Sequence, residues 1–156
     1  MQHKIRILII GPAGSGKMEM VEKLEKEKKI KHGKLTTTKP VNKNKEYQNP
    51  KPERKWEIKD ETIPMVEKDG YKYWLSFYDF ETKNIFIVTP QMAKEIKKKF
   101  PYPYITIYME TPESQRYKNL ISRGMTHEET ISQIENDKIE YKEFKDFDIR
   151  HISIQE

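Results

Sequence analysis

Short apolar runs alternate with longer segments of helical period along this chain. KIRILII (Lys4–Ile10) is an apolar run closed by a glycine, the pattern of a strand buried on both faces. From Lys17 to about Ile30, Met20, Val21, Leu24 and Ile30 recur on one side, which predicts a helix, with Gly33 closing it. NIFIVTP (Asn84–Pro90) and YITIYME (Tyr104–Glu110) predict two more core strands, and FDIRHISI predicts a last one near Ile149–Ile154. PQMAKEIKKKF reads as a helix with proline near its start. Thr111-Pro112 opens another that stops at Arg123-Gly124. Thr126 and Glu129 have the spacing of a capping box, starting a long helix to about Phe144.

The middle of the chain differs. Lys34–Lys55 begins as a strand and becomes a polar loop rich in proline and asparagine. TIPMVEKDGYKYWLSFY then predicts a β-hairpin turning at Asp69-Gly70. Strand–helix alternation at both ends, with a hairpin between, predicts a three-layer α/β domain with a mainly parallel sheet.

At 156 residues the chain is long enough for one domain with a core. Hydrophobic and charged residues each make up 35%. No apolar run approaches the roughly 20 residues of a membrane span, so no membrane partner is expected. The N-terminal run is too short for a signal peptide, and cysteine is absent, which excludes disulfides and thiolate metal sites. The simplest location is cytoplasmic. A net charge of +5 suits phosphate-bearing partners, but the base is almost all lysine, with 25 lysines against five arginines (Arg6, Arg54, Arg116, Arg123 and Arg150). Arginine forks onto phosphate in a way that lysine does not. His3, His32, His127 and His151 lack ligand spacing, so no metal site is expected, and no nucleic-acid motif is present.

The chemistry concentrates in GPAGSGK. Gly11, Gly14, Gly16 and Lys17 stand at G-x-x-x-x-G-K spacing between a strand and a helix. Glycines let successive backbone N–H groups turn inward onto phosphate oxygens, the helix end adds positive potential, and the lysine reaches the outer phosphates. Gly11, Gly14, Ser15, Gly16, Lys17 and Met18 are therefore the expected nucleotide-binding residues. Met18 replaces the hydroxyl that normally binds Mg²⁺, and a thioether is a poor ligand for that hard cation. Anion binding needs no side chain at 18.

This loop, the TTTKP that follows and the C-terminal order of elements resemble guanylate kinase and its nucleoside monophosphate kinase relatives. The resemblance is strongest over Lys4–Pro40 and Asn84–Ile154 and weak over Val41–Lys83. It implies a P-loop kinase fold with a small β-hairpin insert for the acceptor, as one domain over 1–156 with core about 1–35 and 84–156 and insert about 36–83. It implies ATP as phosphoryl donor, a nucleotide acceptor and Mg²⁺, the last weakened by Met18. The acceptor segment T-T-R-x-x-R resembles Thr37, Thr38 and Lys39, with Asn42 in the place of the second arginine. G-x-x-Y-G-[ST] resembles GYKYWLS, matching Gly70 and Tyr73 but placing Trp74 and Leu75 in the last two positions. The acid that helps read guanine corresponds to Thr89. R-x-x-x-R-G resembles NLISRG, keeping Arg123 and replacing the first arginine with Asn119. Arg116 stands one turn earlier, and a further phosphate-binding arginine of the family falls near Gln133 or Ile134.

Two functions follow from the resemblance. In the first, Lys17 and the loop hold ATP, Thr37, Thr38, Lys39 and Tyr73 hold a (deoxy)nucleoside monophosphate, and Arg116 and Arg123 stabilise the transferring phosphoryl. In the second, the fold binds a nucleotide or a protein partner without transfer. Each residue also has a plainer reading. Thr37–Lys39 fit a strand end, Tyr73 and Trp74 fit hairpin packing with one ring on each face, Arg116 and Arg123 fit a solvated helix face, and the bases of Lys43–Lys55 fit a solvated loop.

Overall fold

The computed structural model describes residues 4–41 and 46–153. Four strands form a wholly parallel sheet in the order β6-β1-β7-β8: β1 (Arg6–Ile10), β6 (Ile85–Ile87), β7 (Tyr104–Glu110) and β8 (Ile149–Ile152). These are the four strands expected from the apolar runs; Ile154 lies outside the described residues.

β1 is interior, and its alternation is used in full. Leu8 and Ile10 face one core with Phe80, Phe86, Met92 and Ile96, whereas Ile9 faces a second with Val21, Ile87 and Met109. A strand buried on both faces has no polar side, which is why KIRILII shows no hydrophobic–polar alternation. α1 (Lys17–Lys28) covers the second face, with Met18, Met20 and Leu24 packed on it. The first face is covered by α2 (Phe77–Thr82) and α3 (Pro90–Lys99), with Tyr141 and Phe144 packed against the same core. α4 (Glu113–Ser122) and α5 (His127–Tyr141) follow β7, and α5 carries the full Thr126–Glu129 capping box.

The middle segment builds a second four-stranded sheet in the order β3-β2-β5-β4, from β2 (Leu35–Thr37), β3 (Tyr47–Gln48), β4 (Met65–Lys68) and β5 (Tyr71–Trp74). The β4–β5 hairpin turns at Asp69 and Gly70, both at positive φ (54° and 81°), the primed geometry that matches strand twist.

Three expectations are corrected. Helix α1 ends at Lys28 because Lys29 adopts the left-handed conformation (φ 54°), so Gly33 does not close it. Gly33 instead makes room: a Cβ there would lie 2.3 Å from the Phe86 ring. The polar stretch holds a 3-10 helix over Pro52–Lys59, started by proline, whose Glu57 accepts from the Trp74 indole at 3.4 Å. Finally, the hairpin pattern stops at Trp74, and Ser76 caps α2 by accepting from the Asp79 N–H. No helix among the described residues is long and apolar enough to cross a membrane.

Candidate nucleotide site

The segment Gly11–Lys17 links β1 to α1, and its carbonyls are held from outside. Tyr141 Oη donates to the Gly11 carbonyl at 2.9 Å, Asn119 Nδ2 to Gly14 at 2.8 Å, and Thr111 Oγ1 to Ser15 at 2.9 Å. In its peptide the Ser15 carbonyl stands opposite the Gly16 N–H, so the Thr111 tether turns that N–H the other way. Gly14, Gly16, Lys17 and Met18 donate no backbone hydrogen bond among the described residues. Gly14 (φ 76°) and Gly16 (φ 90°) take the left-handed conformation that this path requires, and a Cβ on Gly14 would also meet the Arg116 carbonyl at 3.0 Å. Gly16 is the N-cap of α1, so these free donors lie at or next to the positive end of a twelve-residue helix. The Ser15 hydroxyl is buried within the loop without a partner among the described residues.

Lys17 folds over this cradle, its ammonium donating to the carbonyls of Gly11 (2.6 Å) and Pro12 (3.2 Å). Burial pushes its pKa below the ordinary lysine value; the carboxylates of Glu46, Asp137 and Glu140 oppose that, and the Arg123 guanidinium adds to it. Met18 turns its side chain to the core formed by Ile9, Val21 and Met109. A Mg²⁺ ion would find no hard ligand at this position, so the residue at 18 does not fit the metal.

α4 carries Arg116 and Arg123 to different clefts. Arg123, just past the helix, pairs with Glu19 at 3.5 Å and lines a cleft of about 300 Å³ with Gly16, Lys23 and His151. Arg116 is buried, not on a solvated face, and pairs with the equally buried Asp137 at 3.5 Å. It borders a second hollow with Pro12, Tyr108 and Arg150. The other arginines are also engaged: Arg6 donates to the Phe80 carbonyl and lies 4.0 Å over that ring, Arg54 lies 4.2 Å over Tyr78, and Arg150 pairs with Glu110.

The second sheet faces α3 and α5 across another cleft of about 300 Å³, lined by Lys39, Tyr47, Tyr73, Thr89, Gln91 and Glu140 among others. Tyr73 meets Tyr47 edge-on at 5.3 Å, while Trp74 points the other way into full burial, as alternation along a strand requires. Thr37 is buried, its Oγ1 accepting from the Lys39 N–H, and Thr38 Oγ1 accepts from the Lys72 N–H. Both hydroxyls thus serve the strand end. Lys39 is exposed, its ammonium 5.9 Å from the Tyr71 ring. Thr89 caps α3 by accepting from the Met92 N–H, a helix-start role for the position matched to a base-reading acid. Asn42 and Lys43–Lys45 lie outside the described residues. Helix α5 joins the two clefts: Gln133 and Glu140 border the one beside the second sheet, and Asp137 reaches the loop.

Reading the sequence alone missed Thr111, Asp137 and Tyr141. Each is far from the loop in sequence and carries no local motif, so only the fold brings it there.

No family model and no curated protein matches the sequence. Among solved structures, the chain is similar to a guanylate kinase from Anaplasma phagocytophilum, with a TM-score of 0.66, 14% identity, and 99% of this chain and 79% of that one covered. It is also similar to an uncharacterized protein from Eubacterium ventriosum (TM-score 0.52, 17% identity, 96% and 89% covered) and to a sugar kinase from a Janibacter species (TM-score 0.50, 10% identity, 96% and 84% covered). The fold is kinase-like.

Proposed function

We propose that the protein binds a nucleotide through its phosphates on the loop Gly11–Met18, in a P-loop arrangement, and transfers phosphate from ATP to a (deoxy)nucleoside monophosphate in the cleft beside the second sheet. The observation that carries this reading is that the Gly14, Gly16, Lys17 and Met18 N–H groups donate no backbone hydrogen bond among the described residues and stand beside the Lys17 ammonium at the N-terminal end of α1. Such a nest with a helix end behind it favours phosphate. Likeness to a guanylate kinase in fold supports a second ligand opposite the loop. Lys39 and Tyr73 line that cleft and offer it an ammonium and a hydroxyl. Arg123 is the guanidinium nearest to a transfer role, since release from an exposed partner, Glu19, costs little. The test is phosphoryl transfer from ATP across all ribo- and deoxynucleoside monophosphates, with and without Mg²⁺. Turnover of one acceptor supports the reading.

A second reading, nucleotide binding without transfer, is favoured by a specific observation: each of the five arginines is already engaged by an acid, a carbonyl or a ring. Nucleotide binding with no turnover on any acceptor would select it.

A further inference from the structure

The Arg116 side chain has a charge partner but no hydrogen bond. Asp137 balances its charge at 3.5 Å, yet Nε and Nη1 of the guanidinium are buried without an acceptor among the described residues. The oxygens of Asp137 serve other donors, the Ala13 N–H and the Gln133 amide, both at 3.0 Å. A guanidinium carries five N–H groups, and burying them unmet is costly. Arg116 is only 5% exposed, and it lines a hollow of about 400 Å³ that touches the loop only at Pro12 among the described residues.

A second set of donors lies at the same hollow. Pro112, on its wall, is the N-cap of the ten-residue α4 and supplies no side-chain cap. The N–H groups of Glu113 and Ser114 donate no backbone hydrogen bond among the described residues, and they stand at the positive end of that helix. Tyr108 and Arg150 border the hollow as well. Burial and the Glu110 carboxylate raise the pKa of the Tyr108 hydroxyl, and the Arg116 and Arg150 guanidiniums oppose that, so both cations act on the same oxygen. The acids of the wall are engaged, Glu110 by Arg150 and Glu113 by Lys138 at 3.4 Å. Charge is balanced around the hollow; what it lacks is acceptors.

We propose that this hollow is a second anion site, separate from the loop, which takes a phosphate group between the Arg116 guanidinium and the N-terminus of α4. A phosphate presents several strong acceptor oxygens on one centre, which suits donors that arrive from a side chain and from a helix end. Inorganic phosphate and the phosphate of a nucleoside monophosphate share this chemistry. The inference does not rest on phosphate binding by the loop.

The test is NMR titration of the ¹⁵N-labelled chain with inorganic phosphate and, separately, with AMP, with chloride at equal ionic strength as control. The proteins are the wild type, Lys17→Ala, Arg116→Gln and the double variant Arg116→Gln/Asp137→Asn. The double variant removes both charges of the buried pair, so that no uncompensated carboxylate is left if the single variant fails to fold. The Glu113 and Ser114 amide resonances should shift saturably in the wild type and equally in Lys17→Ala. Affinity should fall about tenfold or more in a folded Arg116 variant, the size of losing charge-assisted hydrogen bonds. Saturation by inorganic phosphate at the lower concentration assigns the site to the free ion, and saturation by AMP at the lower concentration assigns it to a nucleotide phosphate. No saturable shift at Glu113 and Ser114 with either probe, or a shift that chloride reproduces, overturns the inference without any variant. Unchanged affinity in a folded Arg116 variant also overturns it, as does loss of the shifts in Lys17→Ala, which would put the phosphate on the loop instead.

Discussion

The side-chain amide of Asn119 donates to the carbonyl of Gly14 at 2.8 Å across 105 positions of sequence. Its own oxygen accepts from Gln115 at 2.9 Å, so the amide's orientation is fixed from both ends. At the position that the sequence resemblance matches to an arginine of the guanylate kinase motif, this chain has a strut on the loop.

Removing that strut should weaken the site without touching a ligand. Asn119→Ala leaves the Gly14 carbonyl free to turn inward, where it would compete with phosphate for the loop's interior. The expected cost is about 1 kcal/mol of stability, the size of a single hydrogen bond. ADP affinity should fall about five- to tenfold, since a carbonyl that points at an anion repels it. Urea unfolding and calorimetry on the same preparation separate the two effects. Unchanged affinity would show that the strut does not govern the loop.

Lys17 should give nucleotide binding a pH dependence that an ordinary lysine would not. Burial lowers its pKa from 10.5. The protonated form is the one that attracts phosphate, so affinity should be flat at low pH and fall as pH rises through a midpoint below 10.5. Arginine keeps its charge through this range, so Lys17→Arg should flatten the profile. Following ADP affinity from pH 7 upward in both proteins checks the sign; a wild-type profile flat through 10.5 would contradict it.

If the protein transfers phosphate, Arg123 is the residue to remove. Arg123→Ala should lower kcat about a hundredfold, equal to roughly 3 kcal/mol of transition-state stabilisation. Met18→Ser should raise both activity and its dependence on Mg²⁺, because it puts a hydroxyl in place of a thioether that is a poor ligand for that cation. Full turnover in Arg123→Ala would reassign the role. An unchanged metal response in Met18→Ser would show that the metal is held elsewhere.

Gly33 offers a test of the fold alone. Its missing Cβ leaves space for the Phe86 ring, and an added methyl at 2.3 Å forces one of them to move. Gly33→Ala should cost about 1–3 kcal/mol, as overpacking does, and lower Tm with little effect on nucleotide binding.

What was legible in the sequence followed from local periodicity. Ile7 to Ile10, Ile85 to Ile87 and Ile105 to Ile107 announce buried parallel strands because such strands need apolar residues on both faces. Asp69-Gly70 announces its hairpin because few residues accept two positive φ angles. Gly14 and Gly16 of the loop, also at positive φ, are legible for the same reason. The end of α1 was not, because Lys29 adopts a conformation that its side chain does not signal. Helix α2 was hidden by aromatic residues that suit a strand equally well. The tether formed by Thr111, Asn119 and Tyr141 and the carboxylate of Asp137 depend on packing between distant segments. No window of sequence contains them, and Arg116 and Arg123 could be placed on one helix but not in their separate clefts.

The central claim is that the loop Gly11–Met18 binds nucleotide phosphate with the help of Lys17 and without need of a metal. The most direct measurement is calorimetric titration of the wild type and Lys17→Ala with ADP in metal-free buffer at neutral pH. Saturable binding to the wild type, weakened about tenfold or more in Lys17→Ala by loss of the one ammonium in the loop, is the predicted result. No binding to the wild type at millimolar ADP, or equal affinity in the two proteins, would contradict it.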